Sequence, residues 1–346
     1  MPLAQVPSAA RLLQLVGRFR GRRVVVLGDL IADEFVYGRV ARVSREAPVL
    51  ILEYDSTEVV PGGAGNAAGN VAALGGTARL VGLAGRDPAG DRLMAAFPAR
   101  VERGRVLRPA GYHTPVKTRI LAGGIHSAKQ QVVRIDRLAG DGVEARHRAM
   151  IERAARAAAR GADAVLVSDY GSGLVTPAFV GALARSLRTR TARVPVLVDS
   201  RYALTRFSRL AACTPNESEV EQVLGVSIDD RPRVLERAGR QLLASTRMEA
   251  VLITRGSRGM ALFEPDKPTV HIPIHGSDQI ADVTGAGDTV MATMTLALAA
   301  GATFEEAARL ANFAGGLVVM KRGTATVAAD ELRAAITAAD DAQMRR

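Results

Sequence analysis

Four short apolar runs, rich in β-branched residues and ending at polar residues, constrain the fold of this chain more than any other feature. They are RRVVVLG at residues 22–28 (followed by Asp29), AVLVS at 164–168, PVLVD at 195–199 and AVLIT at 250–254. A stretch rich in Ala, Arg and Leu, with helical character, precedes each of the last three runs. Repeated helix–strand units of this kind predict an α/β fold built on a parallel sheet.

The same runs predict where a ligand binds. In parallel sheets, ligands occupy the crevice beyond the carboxyl ends of the strands. Asp29, Asp169, Asp199 and Thr254 lie at or directly after the ends of these runs. We therefore expect these four residues to converge on one crevice.

Two stretches, residues 35–60 and 112–136, interrupt the helix–strand rhythm. Their apolar residues alternate, as at Val49 and Ile51, instead of recurring at helical spacing. We interpret the two stretches as a small β-sheet inserted into the fold, which could cover a substrate and exclude water. The alternative is a simple extension of the main sheet at its edge.

The overall charge raises the alternative of nucleic-acid binding. The 346 residues carry a formal net charge of +11, and Lys and Arg side chains attract phosphates. However, the arginines recur singly along Ala-rich stretches, as at Arg153, Arg156 and Arg160, and no basic run is interleaved with aromatic residues. We predict solvated helix faces with affinity for small phosphorylated ligands, and no nucleic-acid partner.

Cysteine usage and hydropathy indicate the compartment. The single cysteine, Cys213, excludes an internal disulfide framework, which fits a reducing cytoplasm. Residues 1–23 lack the basic start and apolar core of a leader peptide, and the apolar run Val290–Ala300 is too short to span a bilayer. We expect a cytoplasmic protein with no membrane partner.

The segment DVTGAGD, residues 282–288, is the most informative for chemistry, because an apolar helical run follows it directly. Glycines at a helix start let the backbone approach a ligand, and the unpaired N–H groups there bind anions. Gly285, Ala286 and Gly287 would form such a phosphate cradle. Asp288, in the first helical turn, could accept a hydroxyl proton during phosphoryl transfer. The alternative is a capping Asp at a glycine-rich turn.

A second glycine-rich segment, PGGAGNAAGN at residues 61–70, also precedes an Ala-rich helix. Gly62 and Gly63 would let backbone donors meet sugar hydroxyls, and Asn66 offers both a donor and an acceptor. The rival interpretation is a dinucleotide-binding fingerprint. That fingerprint belongs at the turn after the first strand, whereas here the inserted segment 35–60 lies between.

Two further acidic segments could bind ligands. Asn216 and Glu219, in TPNESE at residues 214–219, lie three apart on one helical face and could hold water ligands of Mg²⁺. Asp29 and Asp33 follow the first strand and could bind sugar hydroxyls. Helix capping is the alternative role for both pairs.

Together these segments resemble a known family. PGGAGN (61–66) and DVTGAGD (282–288) resemble the two signatures of the ribokinase, or PfkB-type carbohydrate kinase, family, and Asn216-x-x-Glu219 is similar to its magnesium motif. The resemblance implies a three-layer αβα sandwich with a mainly parallel sheet and a small β-sheet lid, as one kinase domain over residues 1–346. It also implies use of ATP and Mg²⁺, and a homodimer formed through the lid.

Nearly the whole chain resembles the heptose 7-phosphate kinases of this family, through VVVLGD at 24–29, SREAPV at 44–49, TPVKTR at 114–119, QQVVRID at 130–136, SDYG at 168–171 and TPNESE. This implies phosphorylation of the anomeric hydroxyl of D-glycero-D-manno-heptose 7-phosphate to the 1,7-bisphosphate. Two departures are Ser172 and Arg201, where the relatives have Lys. Because the sequence stops at Arg346, we expect a kinase without a fused nucleotidyltransferase.

The resemblance also implies roles for individual residues. Asp288 would be the base, with Gly285, Ala286 and Gly287 as the anion hole. The substrate would contact Asp29, Asp33, Gly62, Gly63, Asn66 and Asp169, and the basic residues Lys117, Arg119 and Arg134 could meet a substrate phosphate or be ordinary strand-face charges. The nucleotide would contact Asn216, Thr254, Gly256, Gly259 and Asn312. Asn216, Glu219 and Asp199 would hold the metal through water.

Alternative functions remain open at this stage. A kinase for another sugar or sugar phosphate, such as fructose 6-phosphate, fructose or ribose, would use the same segments. A catalytically inactive sugar- or nucleotide-binding protein would keep the scaffold, although Asp288 and the glycines are present. An oxidoreductase would require the dinucleotide-binding interpretation of residues 61–70.

Overall fold

A central sheet of nine strands and a smaller sheet of four organise the computed structural model, which describes residues 7–123, 129–138, 142–188, 193–229, 231–276 and 282–344. In chain order the strands are β1 (Arg23–Gly28), β2 (Leu30–Val43), β3 (Leu50–Gly63), β4 (Thr77–Leu83), β5 (Val101–Leu107), β6 (Val116–Gly123), β7 (Gln130–Arg137), β8 (Ala164–Asp169), β9 (Val196–Ser200), β10 (Ala212–Cys213), β11 (Ala250–Thr254), β12 (Met260–Phe263) and β13 (Val270–Ile272). The helices are α1 (Ala9–Gly17), α2 (Ala64–Ala73), α3 (Pro88–Ala96), α4 (Ala145–Ala159), α5 (Pro177–Arg188), α6 (Glu217–Leu224), α7 (Pro232–Thr246), α8 (Ala286–Ala299), α9 (Phe304–Val318) and α10 (Ala329–Met344).

The central sheet is mainly parallel, as the sequence predicts. Its described strands run in the order β13-β12-β11-β10-β9-β8-β1-β4-β5. Neighbours from β5 to β11 pair in parallel, whereas β12 and β13 pair antiparallel at one edge. The four apolar runs form β1, β8, β9 and β11, with ends within one residue of those predicted. The antiparallel edge was not predicted, because strands as short as β12 and β13 carry little periodic signal.

Helices cover both faces of this sheet, which confirms the three-layer sandwich. In β1, Val24 and Val26 join a core with α1, α2, α8, α9 and α10, whereas Val25 and Leu27 join a second core with α4, α5 and α7. Successive side chains of a strand point to opposite faces. A continuous apolar run such as RRVVVLG is therefore what a strand buried on both faces requires.

Helix α8 is the most enclosed helix around the site. Every residue from Asp288 to Ala297 is buried, because α2 and α9 pack along α8 while its other side lies on the sheet. A helix that is apolar on all sides can be stable only when it is surrounded in this way. The burial of α8 carries Asp288 into the protein interior at the helix start.

The smaller sheet is built by the two inserted segments, as predicted, in the order β3-β2-β6-β7. β2 pairs antiparallel with β3 and parallel with β6, and β6 pairs antiparallel with β7. The strands begin at Leu30 and Val116, so their limits differ by a few residues from the predicted 35–60 and 112–136. Residues 124–128 of the second segment lie outside the described part of the chain. We refer to this four-stranded sheet as the lid.

Three expectations concern the chain as a whole. No helix in the described ranges has the length and apolar character needed to cross a bilayer. Cys213 is buried in the central sheet, and burial raises the pKa of its thiol. The assignment of residues 1–346 to a single kinase domain stays a prediction.

Candidate active site

Asp288 lies in the first turn of α8, where the helix begins without a side-chain cap. The preceding residue outside the helix, Gly285, has a left-handed backbone with φ 77°, a conformation that glycine adopts without strain. The first N–H groups of a helix have no partner within the helix, and the helix dipole is positive there. The segment therefore presents a buried carboxylate and an anion-attracting helix end side by side.

Two side chains hold the Asp288 carboxylate. Asn66 donates from Nδ2 to Oδ2 of Asp288 at 2.9 Å, and the Tyr170 hydroxyl lies 3.3 and 3.5 Å from the two carboxylate oxygens. Asn70 in turn donates to Oδ1 of Asn66 at 3.1 Å and accepts from the Thr289 hydroxyl at 3.0 Å. This chain of hydrogen bonds orients the Asn66 amide so that its NH₂ group faces Asp288.

Burial sets the protonation of Asp288. The residue is 6% exposed, and loss of hydration raises the pKa of its carboxyl to about 7. The negative charge of Asp33 raises this pKa further, while the hydrogen bonds from Asn66 and Tyr170 and the positive charge of Lys117 lower it. A carboxyl with a pKa near neutrality is suited to accept a proton in a reaction at that pH.

The glycine-rich loop before α8 is held at its start. Asp282 accepts hydrogen bonds from the backbone N–H groups of Thr284 at 2.8 Å and Gly323 at 3.0 Å. A side chain on Gly285 would collide with the Asn66 amide, whereas one on Gly287 would meet no atom within 4 Å. Gly287 therefore faces open space, so that a phosphate can approach the backbone at this helix start.

A cleft of about 440 Å³ opens at this helix end, a size that suits a small-molecule ligand. The predicted site residues that line it are Asp169, Asp199, Asn216, Glu219, Thr254, Gly256, Gly259, Gly285, Ala286, Gly287, Asp288 and Asn312. The structure thus brings together the predicted base, anion hole, metal and nucleotide positions.

Asn216 and Glu219 form a capping box at the start of α6. Glu219 N donates to Oδ1 of Asn216 and Asn216 N donates to Oε2 of Glu219, both at 2.9 Å. The capping interpretation is therefore correct, yet both residues also line the cleft. Their role toward a metal stays a prediction.

The electrostatic surroundings of Asp199 support a metal-binding role for this part of the cleft. Burial, followed by the negative charges of Glu219 and Asp288, holds the pKa of its carboxyl well above the usual range, and burial also raises the pKa of Glu219. Like-charged carboxylates in a poorly hydrated cleft are stabilised by a bound cation. No group of three or more His, Cys, Asp or Glu side chains that could hold a metal ion occurs among the described residues, and Mg²⁺ commonly keeps several waters and phosphate ligands instead.

The predicted sugar-binding aspartates are engaged with the protein. Asp29 accepts from the Tyr170 backbone N–H at 2.8 Å and from the Ser172 hydroxyl; burial raises the pKa of its carboxyl despite these bonds. Asp169 accepts from the Ser200 hydroxyl at 2.7 Å and from the Gly171 N–H at 3.0 Å.

Asp33 forms a buried pair with Arg119, with Oδ1 and Nη1 2.6 Å apart. A side chain on Gly62 would collide with the Asp33 carboxylate, and Gly63, with φ 58°, packs against the Asp29 carbonyl. Glycine is therefore needed at these two positions so that the backbone can pack closely against Asp33 and Asp29. The sequence did not indicate this structural role. Their contact with sugar hydroxyls stays a prediction.

The three basic residues predicted to meet a substrate phosphate lie in different surroundings. Arg119 is paired with Asp33 in the interior, and Arg134 is paired with Asp136 on the exposed surface of β7. Lys117 is half-buried, and its Nζ lies 5.0 Å from the centre of the Tyr170 ring. Burial lowers the pKa of Lys117, and so does the positive charge of Arg201.

Sequence reasoning missed the residues that support Asp288. Tyr170 contacts the base Asp288, Asn70 contacts its partner Asn66, and Thr289 contacts Asn70. Ser172 and Ser200 hold the aspartates at the strand ends. A signal existed for Tyr170 alone, since it follows Asp169 directly at a strand end. The others lie inside helices or loops whose spacing indicates no ligand.

Comparison with known proteins identifies relatives along nearly the whole chain. Residues 22–331 match the family described as pfkB family carbohydrate kinase. The bifunctional protein HldE of Caulobacter vibrioides is 41% identical over 333 residues, which cover 95% of this chain and 66% of that protein. HldE of Halorhodospira halophila is 44% identical over 321 residues, covering 92% of this chain and 64% of that protein. The chain therefore spans just under two thirds of the length of these curated relatives.

Solved structures share the fold. Phosphofructokinase-2 from Escherichia coli, in complex with potassium, superposes with a TM-score of 0.71 at 18% identity, covering 92% of this chain and 99% of that chain. Ribokinase from Arabidopsis thaliana, complexed with ribose and ATP, superposes with a TM-score of 0.65 at 21% identity, covering 92% and 98%. At these identities the likeness shows the ribokinase-like fold alone.

The raised pKa of Asp288 predicts that its charge destabilises the folded protein. The unfolded carboxyl has a pKa of about 3.9 and the folded one about 7, so stability is lost as the pH rises from about 4 to about 7 and stays low above that. We expect Asp288→Asn to raise the free energy of unfolding at about pH 8 by on the order of a few kcal/mol, and little at about pH 4. Thermal melting at both pH values measures the difference.

Asp282→Asn is the matched control. Burial alone would raise the pKa of Asp282, but hydrogen bonds from Thr284 and Gly323 outweigh it and hold the pKa below the usual range. The charged form is therefore stabilising above the unfolded pKa, and Asp282→Asn is expected to lower the melting temperature at neutral pH. An equal fall for both variants at about pH 8 would contradict the pKa of about 7 for Asp288.

The two glycines of the loop are expected to respond differently to alanine. Gly285→Ala places a side chain on a left-handed backbone and against the Asn66 amide, which should cost about 1–3 kcal/mol of stability. Gly287→Ala should leave the melting temperature within a degree or two, roughly a change of 0.5 kcal/mol, because its side chain would meet open space. Differential scanning fluorimetry of the two variants tests this. An equal fall in melting temperature for both would contradict the open space at Gly287.

Proposed function

Because the chain belongs to the pfkB family of carbohydrate kinases, we propose that it transfers the terminal phosphoryl group of ATP to a sugar hydroxyl. The observation that carries this proposal is the buried carboxylate of Asp288, with a pKa of about 7, at an uncapped helix start that opens on a cleft of about 440 Å³. A base and an anion site side by side are what phosphoryl transfer to an alcohol requires.

In the proposed reaction, Asp288 accepts the proton of the attacking hydroxyl. The hydroxyl oxygen forms a bond to the terminal phosphorus as the bond from that phosphorus to the bridging oxygen breaks, and ADP leaves. The backbone N–H groups of Gly287 and its neighbours face the transferring group, where they stabilise its negative charge. Asn66 and Tyr170 keep the carboxylate of Asp288 in place while it gains the proton.

The remaining lining residues have proposed roles on the nucleotide side. Thr254, Gly256, Gly259 and Asn312 line the cleft, and we assign the nucleotide to the part of the cleft that they line. Asp199, Glu219 and Asn216 would hold Mg²⁺ through water. A divalent cation bound there supplies charge neutralisation on the phosphates.

For the acceptor we propose a sugar phosphate, D-glycero-D-manno-heptose 7-phosphate, phosphorylated at its anomeric hydroxyl. The support is the similarity of the chain to heptose 7-phosphate kinases in segments spread from β1 to α6, together with about 40% identity to the HldE relatives. Ser172 and Arg201 stand where those kinases have Lys. A preference for a different sugar would be associated with substitutions at such positions. Fructose 6-phosphate, fructose and ribose are therefore the competing acceptors.

We also propose that two copies of the chain associate through the lid. The lid strands carry apolar side chains that are exposed in the single chain, among them Val43, Tyr54 and Ile135, with exposed fractions of 59%, 66% and 51%. Apolar side chains left exposed on a soluble protein are candidates for burial at an association site. A second lid would cover these side chains.

The acceptor is tested by ADP release with Mg²⁺-ATP over heptose 7-phosphate, fructose 6-phosphate, fructose and ribose. We expect turnover with the heptose phosphate, and Asp288→Asn should lower kcat about 10²–10⁴-fold, the usual contribution of a general base. The kcat/KM of the unchanged protein should increase with pH through about 7, because Asp288 must be ionised to act. Preference for an unphosphorylated sugar would overturn the acceptor, and unchanged activity of Asp288→Asn would overturn the base.

The lid association is tested by light scattering on Tyr54→Glu. A charge at this exposed position should increase the dimer dissociation constant at least about tenfold, because a carboxylate would be buried in an apolar interface. Tyr202→Glu is the matched control, since Tyr202 is also 66% exposed but follows β9 and is not part of a lid strand. A monomeric unchanged protein, or equal effects of both variants, would contradict the proposal.

A further inference from the structure

Two positively charged side chains lie on the same aromatic ring beside Asp288. The Nζ of Lys117, from the lid strand β6, is 5.0 Å from the centre of the Tyr170 ring. The guanidinium carbon of Arg201, just after β9, is 5.6 Å from the same centre. The hydroxyl of this ring reaches both oxygens of Asp288, so one tyrosine brings two cations and the base together.

Neither cation is neutralised by a partner of its own. Among the residues that the structure describes, no carboxylate lies within 4 Å of the Lys117 ammonium or the Arg201 guanidinium, and their side chains make no hydrogen bond. The neighbouring arginines differ, because Arg119 and Arg134 each have a carboxylate partner. Two unpaired like charges on one ring repel each other, and this repulsion is relieved when an anion lies between them.

Arg201 is held at the cleft by its backbone. Its N–H donates to the Asp169 carbonyl at 3.1 Å, and its side chain lines the cleft with Asp199 and Glu219. Its positive charge acts on both of these carboxylates without bonding to either. The guanidinium therefore lies near both the proposed metal residues and the ring that contacts the base.

Lys117 and Arg201 lie close to Asp288, and this position favours contact with the transferred phosphoryl group over contact with a phosphate that the sugar already carries. The base must touch the reacting hydroxyl, so the phosphorus that this hydroxyl attacks lies next to the Tyr170 ring. A phosphate at the far end of a sugar would lie a sugar's length away from this point. During transfer, charge spreads over the three equatorial oxygens of the phosphoryl group, which favours cations on more than one side.

From this geometry we propose that Lys117 and Arg201, held on the ring of Tyr170, are the cation pair that receives the transferred phosphoryl group. The inference rests on the proposed kinase function and names residues that act in its phosphoryl-transfer step. Lys117 and Arg201 keep their protons and contribute charge and hydrogen bonds alone, while the proton of the attacking hydroxyl goes to Asp288. Lys117 comes from the lid and Arg201 from the turn directly after β9 of the central sheet, so the pair is complete only when the lid is in place.

The first test compares steady-state kinetics of Arg201→Met and Lys117→Met. Each should lower kcat about 10²-fold, the usual effect of removing one group that stabilises transition-state charge, with KM for the sugar phosphate and for ATP changed less than about threefold. Arg201→Lys should recover part of the loss. Arg206→Met, an exposed arginine five positions along the same segment, is the matched control and should match the unchanged protein.

The second test measures binding without turnover. With the sugar phosphate present, MgADP with aluminium fluoride, a mimic of the transferring phosphoryl group, should bind Arg201→Met at least about tenfold more weakly than the unchanged protein. MgADP alone should bind both about equally, within about twofold. Calorimetry gives both dissociation constants.

The outcomes separate this inference from the proposed function. Turnover by the unchanged protein together with unaltered kcat in both Met variants would overturn the inference and leave the kinase function standing. An increase of KM for a phosphorylated sugar, with kcat unchanged and no effect on an unphosphorylated one, would show that the cations bind the substrate's own phosphate and would also overturn it. Absence of ADP release with every sugar would overturn both.

Discussion

Asp288 brings a carboxylate to a position where only 6% of the residue is exposed, and the surroundings must compensate for the water it has lost. Asn66 and Tyr170 supply two hydrogen bonds, and the uncapped start of α8 supplies the field of the helix dipole. The compensation is incomplete, as a pKa of about 7 indicates. A carboxyl that is partly destabilised in its charged form accepts a proton readily, so the same imbalance that weakens the fold favours the proposed chemistry.

The packing of helices on the central sheet is the reason that Asp288 is buried with incomplete compensation of its charge. Because α8 packs between α2, α9 and the sheet, the side chain in its first turn is drawn inside. The parallel strands then place their ends on one edge, where Asp169, Asp199 and Thr254 meet the helix start. The lid adds Lys117 from a separate sheet. The site thus assembles from three structural units, and a change in how the lid lies would alter the charge around Asp288 without moving the base itself.

Much of this could be predicted from local patterns. The strands β1, β8, β9 and β11 were located to within one residue, because a strand buried on both faces must be apolar at consecutive positions. The glycine-rich helix starts at residues 61–70 and 282–288 were equally clear, since few residues other than glycine tolerate such a turn. The capping box of Asn216 and Glu219 shows the limit of this reasoning, because the same spacing suits a cap and a metal site, and the structure contains the cap.

The sequence by itself determined the α/β sandwich, the two inserted segments and the candidate base, because each depends on residue types at short spacing along the chain. The tertiary structure alone decided the partners of those residues. Asn66 and Asp288 are 222 positions apart, and Asp33 pairs with Arg119 across 86 positions. The placement of Lys117 and Arg201 on the Tyr170 ring depends on how the lid packs against the central sheet. Such contacts leave no periodic trace, since they result from the packing of whole layers and not from the preference of any local segment.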